Sequence, residues 1–335
     1  MAPGIGFPDL IVFICMISSG INNALIPTLT YYSIALDEYS TDNFTLIEQC
    51  YAMKDVTQNS TCKEMGSTVE SALTSLTVKI NIVKAILSPL SMFLLGGLSD
   101  AVGKRFPVYV TLAINLCWSL ITMANTYFLT SFRPNYYIFD NGFILGLSGG
   151  SFFTISTYLV GYLAITTPPQ QQTQRFSTLM SVGLLGTTLG HLFAGLYLQF
   201  SNLKYAFFTL GSFSTGLVVI GLLLSIFCLR RVDPVTDLES SISQTRSLRG
   251  KAFIAFKHQY YNTIDMFRHQ AYLGKFVMAN FMYMLTIMGC VSPLIVITNV
   301  YLLAAPFKWS ATSRSYLVAG LLTVTCTIEY RFTGA

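Results

Sequence analysis

Seven stretches of this chain are apolar for long enough to cross a lipid bilayer, and no other feature constrains its fold as strongly. A crossing helix needs about 20 mostly apolar residues. Such runs occupy residues 10–32, 77–98, 107–128, 136–158, 176–198, 206–229 and 273–303. Hydrocarbon offers backbone N–H and C=O groups no partner, so each run is read as a helix that satisfies its own. The expected fold class is an all-α polytopic membrane protein. An eighth run opens near Tyr316 but meets Glu329, Tyr330 and Arg331 too soon to span. Charged residues make up 10% of the chain, against about 25% in a soluble domain, which excludes a pair of ordinary soluble domains. The net charge of +5 is spread over the loops rather than gathered into a nucleic-acid patch. The first run lacks a basic leader and a small-residue cleavage site, so it is read as a permanent span.

Three signals orient the chain with its N-terminus cytosolic. Loops 99–106, 159–175 and 230–272 then hold ten Lys and Arg residues, and the opposite loops hold six, as the positive-inside rule requires. The sequons at Asn43 and Asn59 both fall in loop 33–72, placed outside. Cys50 and Cys62 lie in the same loop, where the redox conditions permit a disulfide. The organisation expected is a six-span bundle over 1–229, with 33–72 as its glycosylated outer loop. A linker over 230–271 follows, then an incomplete second bundle over 272–335 with span seven and part of span eight. Within the linker, Leu248, Ala252, Phe253, Phe256, Tyr260, Ile264 and Phe267 recur at about 3.6 residues among Lys251, Lys257 and Arg268. That period describes an amphipathic helix on the inner leaflet. The other five cysteines sit in spans as packing residues, and no cofactor or metal motif accompanies them.

The loop after the second run reads Gly96-Gly97-Leu98-Ser99-Asp100-Ala101-Val102-Gly103-Lys104-Arg105. Gly96 and Gly97 let a neighbouring helix approach closely. Asp100 offers a negative charge to a helix N-terminus, Gly103 permits a tight turn, and Lys104 with Arg105 anchors the loop on the cytosolic side. This segment resembles the G-x-L-[SA]-D-x-x-G-[RK]-[RK] signature between the second and third helices of the major facilitator superfamily. Four further elements are similar to solute carrier family 46. They are Pro306-Phe307-Lys308-Trp309-Ser310, the doubly glycosylated first loop, GLSGGSF at 146–152, and the Thr173-x-Arg175-Phe176 start of the fifth span. The resemblance implies a secondary transporter of folate-like or other anionic small solutes, commonly proton-linked, in the plasma or lysosomal membrane. Met180 stands where the folate-transporting branch is often acidic. The outer loop at 304–315 has no cysteine, so of the pairings open to the first loop Cys50–Cys62 is the more reachable. The superfamily's fold has two six-helix bundles, and on that measure the chain reads as C-terminally truncated.

Ionisable groups inside spans are costly, at least about 2.5–3.5 kcal/mol at a helix centre, and so are site candidates by default. Lys84, Asp140 and His191 lie at similar depths from the outer ends of spans two, four and five. The resemblance places those helices around a central cavity. Lys84 would then attract a substrate carboxylate, while Asp140 and His191 exchange protons. The alternative is a structural Lys84–Asp140 pair, with His191 bonding a neighbouring helix. Asn22, Asn23 and Pro27 in span one, and Asn280, Tyr283 and Pro293 in span seven, add polar groups beside prolines that free backbone. Gly142, Gly146 and Gly150, and Gly186 with Gly190, recur at four residues and mark close helix packing. No paired carboxylates, HExxH or nucleophile elbow points to an enzyme. The partners expected are a small anionic solute, with the protons that the resemblance implies, and the bilayer; the competing reading is a non-transporting form that binds or assembles.

Overall fold

The computed structural model describes residues 6–39, 60–128, 133–149, 153–200 and 203–229, with Lys257, Tyr261, Tyr316, Leu317 and Gly320. Among these residues the protein is all-helical and contains no strand. The helices are α1 (Phe7–Tyr39), α2 (Ser60–Val102), α3 (Phe106–Tyr127), α4 (Ile138–Leu147), α5 (Phe153–Thr166), α6 (Pro169–Phe200) and α7 (Leu203–Cys228). Five of them, α1, α2, α3, α6 and α7, are long and apolar enough to cross a membrane. Their outer faces are apolar too. On α2, Val78, Ile82, Ile86, Leu90 and Leu94 are exposed at four-residue steps, a stripe suited to lipid rather than water.

Three sequence expectations change. Residues 33–39 and 60–72, assigned to the outer loop, are helical in α1 and α2. Hydropathy marks where a helix leaves apolar surroundings, but its backbone bonds continue while side chains can pack. Val69, Leu73 and Leu76 of α2 join one buried cluster with Tyr32, Ala35 and Leu36 of α1. The span expected over 136–158 is two helices, α4 and α5. The break falls at Gly149, whose φ of 91° only glycine adopts readily; the Thr154 hydroxyl donates to its carbonyl at 2.9 Å. Loop 159–175 shrinks to residues 167 and 168 between α5 and α6. Span seven and most of the linker lie outside the described residues.

Glycine sets two of the helix contacts. A Cβ on Gly20 of α1 would sit 3.0 Å from the Gly190 Cα of α6, and one on Gly186 would sit 2.6 Å from the Phe13 carbonyl oxygen. The register Val12–Gly183, Phe13–Gly186, Ile17–Gly190 rises together, so α1 and α6 run parallel. Likewise Gly142 meets Val83 and Gly146 meets Leu87, which makes α4 parallel to α2. In contrast α7 runs antiparallel to α1, with Ser18 against Ser214 and Tyr32 against Phe207. It also opposes α3, where Thr215 meets Ser119 and Tyr127 meets Phe208.

These neighbours have a regularity. Taking α4 with α5 as one segment, the described helices form six. Exchanging the first three segments for the last three leaves the principal neighbour pairs unchanged. Thus α1–α6 maps onto the α4–α2 pair, α1–α7 onto α4–α3, and α3–α7 onto itself. The two triads run in opposite senses. α1 is the most buried of the five long helices because α2, α5, α6 and α7 all pack on it.

Replacing Gly190 by Leu drives a side chain into the Ile17 carbonyl and Gly20. Overpacking of this kind costs about 1–3 kcal/mol, so the unfolding midpoint in detergent should fall. Gly161→Ala meets nothing within 4 Å and should hold or raise the midpoint, by about 0.5–1 kcal/mol of helix propensity.

Candidate functional site

One face of α3 is polar and buried. Thr111, Asn115, Ser119, Thr122, Asn125 and Thr126 recur at one to four residues on it, all nearly inaccessible. Asn115 and Thr126 donate to carbonyls of α3 itself, and the partners across helices come from α4 and α7. Trp118 Nε1 donates to Asn141 Oδ1 at 3.0 Å, and Thr122 Oγ1 and Asn125 Nδ2 each donate to Asp140 Oδ2 at 3.3 Å. Thr215 of α7 donates to the Ser119 carbonyl at 3.3 Å. Residues 138–144 of α4 are π-helical, and this wider turn buries Asp140, Asn141 and Gly142 consecutively. The first two address α3 while Gly142 addresses α2.

Asp140 therefore faces α3, and its hydrogen bonds among the described residues do not include Lys84. The Lys84–Asp140 ion pair offered by the sequence is absent there. Lys84 is half-buried on α2, its Cα beside Gly146. His191 is buried in α6, its Nδ1 3.0 Å from the Thr187 carbonyl of its own helix, and its backbone lies against Gly20 of α1. Asn22 is 1% exposed with its Nδ2 unpartnered among the described residues. The neighbouring Asn23 is exposed and donates to Ser19 at 3.5 Å. Asn280, Tyr283, Asn43, Asn59 and Cys50 lie outside the described residues, as do the side chains of Cys62 and Asp100.

The loop of the sequence signature is a compact turn. The Gly103 N–H closes α2 on the Ser99 carbonyl at 3.1 Å, and its φ of 118° then turns the chain out of the helix. Gly97 is buried and Gly96 half-buried. Lys104 Nζ donates to Ser99 Oγ at 3.1 Å. Arg105 does more than anchor a loop: its Nη1 donates at 2.7 Å to the Leu229 carbonyl, just past the end of α7. A cation at that carbonyl-rich terminus is favourable.

Sequence reasoning missed the ion pair at the same end of the bundle. Arg175 of α6 lies 2.9 Å from Asp9 of α1, with side chains 10% and 0% exposed. The Gly6 N–H also donates to Asp9, at 2.7 Å, so one carboxylate caps α1 and holds α6. Asp9 precedes the apolar run and Arg175 precedes another, and hydropathy alone leaves both in loops. A cavity of about 380 Å³ opens beside them, lined by Phe7, Tyr162, Thr166, Gln171, Arg175 and Leu229 among others, within the size range of small-molecule sites. The polar stripe of α3 did carry a signal, namely polar residues at helical spacing inside an apolar run.

The chain matches no protein-family model and none of the curated proteins.

Removing either partner of a buried ion pair leaves an uncompensated charge, at about 3–5 kcal/mol. Asp9→Leu and Arg175→Met should each lower the unfolding midpoint in detergent. The double variant should lose less than the sum of the two.

Proposed function

We propose that this chain is a secondary transporter of the major facilitator type, akin to solute carrier family 46. It moves a small anionic organic solute across a plasma or lysosomal membrane by alternating access, with its N-terminus cytosolic. The observation that carries this reading is the exchange of two three-segment units of opposite direction. Inverted repeats of this kind build many secondary transporters, with solute sites at the repeat interface and on broken helices. Two features support it further. The fourth segment is interrupted at Gly149, and the turn at 103–105 ties the start of α3 to the end of α7 through Arg105, so rocking of the bundle would be transmitted at that end.

In this reading Lys84 attracts the solute carboxylate, with Asn22, Asn23, Asn280 and Tyr283 as its polar companions. Asp140 and His191 are the candidates for proton coupling. The signature residues Gly96, Gly97, Asp100, Gly103, Lys104 and Arg105 act in gating. Asn43 and Asn59 carry glycans on the outer side, and Cys50 pairs with Cys62 there.

Purified chain in lipid vesicles, given radiolabelled folate and an imposed pH gradient, should show saturable uptake that collapses with the gradient. Lys84→Ala should raise the half-saturating concentration about tenfold, the equivalent of one charge-assisted contact of about 1.5 kcal/mol. Absence of uptake for folate and for a panel of small organic anions overturns the reading and leaves a protein that binds or assembles. In cells, Asn43→Gln and Asn59→Gln should each remove one glycan step on electrophoresis; a chain with no glycan reverses the orientation.

A further inference from the structure

Asp140 is gripped on one oxygen only. Thr122 and Asn125 both donate to Oδ2, while Oδ1 is buried and without a hydrogen-bond partner among the described residues. The side-chain amide oxygen of Asn125, Oδ1, is buried and unpartnered in the same way among the described residues. These two orphans belong to residues already joined to each other. A carboxyl and an amide are planar groups, each with two heteroatoms on one edge. When the N–H that meets one carboxyl oxygen is the one cis to the amide oxygen and the two planes align, the amide oxygen and the second carboxyl oxygen lie on the facing edges. Were Asp140 ionised, both would be acceptors with no hydrogen between them, each costing about 1–3 kcal/mol. A single proton on Oδ1 satisfies both.

We propose that Asp140 is held as a neutral carboxylic acid that donates its Oδ1–H to Asn125 Oδ1 while accepting the Asn125 N–H on Oδ2. The closed acid–amide ring latches α3 to the π-helical start of α4. The surroundings agree with this charge state. Between Phe106 and Tyr127, α3 carries no charged residue. On α2, which packs against α4 through Val83 and Leu87, the cations in the stretch nearest α4 are Lys79 and Lys84, and neither forms an ion pair with Asp140 among the described residues. Tyr137, one turn earlier and 1% exposed, is the titratable group next to Asp140 on its own segment. Losing the proton would set two acceptor oxygens against each other and open the latch. The ring stands whether or not the chain moves a solute.

Infrared difference spectra of the full chain in bilayers at neutral pH test this. The expected result is a protonated-carboxyl C=O band that D140N removes and that Asn125→Leu shifts to higher frequency. The exchanged variant N125D/D140N rebuilds the ring in reverse and should recover both the band and the unfolding midpoint that Asn125→Leu lowers. If D140N does not assemble, the shift in Asn125→Leu alone assigns the band, and an unshifted band overturns the proposal. So does a spectrum with no carboxylic-acid band at neutral pH. A midpoint that rises in sodium chloride over choline chloride for the native chain but not for N125D/D140N also overturns it, in favour of a bound cation.

Discussion

The backbone-to-backbone approach of α1 and α6 is the contact on which the bundle depends. In hydrocarbon, burying apolar side chains against one another gains little, because lipid is as apolar as leucine; close packing of small residues drives association instead. Gly20 and Gly190 face each other with no side chain between, and Gly183 and Gly186 extend the seam along the helix. That approach puts α1 at the centre of the bundle and sets the height of everything it touches. The Asp9–Arg175 pair closes one end of the same interface, and His191 is held beside Gly20 within it.

The counterpart seam, α2 against α4 through Gly142 and Gly146, is the image of the first under exchange of the two triads. Equivalent positions have different consequences because the sequences differ. The α1–α6 seam continues along one unbroken helix pair. The α2–α4 seam ends where α4 stops, at Leu147 before the turn at Gly149, and Ser91 of α2 meets the Leu147 carbonyl there. A carbonyl left without its helical donor at a break must find another partner, and a serine hydroxyl from the neighbouring helix supplies it.

Polarity inside the bundle follows from the same geometry. A π-helical turn at 138–144 lets two consecutive polar residues, Asp140 and Asn141, address α3 together. The part of the stripe from Trp118 to Asn125 then has a reason to be polar: the side chains that α4 presents need donors and acceptors in a medium that supplies none.

Much of the fold was legible in residue order. Apolar runs located all five long helices, because the demand for about 20 apolar residues is local. Glycine spacing at 142, 146, 186 and 190 marked the close contacts, since a missing side chain shows in the sequence itself. Hydropathy misjudged the ends, where α1 and α2 continue past their apolar cores, and it did not detect the break at Gly149. It also missed Asp9 and Arg175, whose pairing spans 166 residues of chain. Lys84 and Asp140 share a depth in the sequence, yet depth says nothing about the direction in which a helix presents a side chain. The sequence by itself determined that this chain is helical, apolar-faced and tightly packed at glycine, because those properties follow from composition and local spacing. Only the tertiary structure decided that Asp140 turns to Asn125 rather than Lys84, because helix rotation is settled by what packs on the opposite face, here Gly142 and Gly146 against α2.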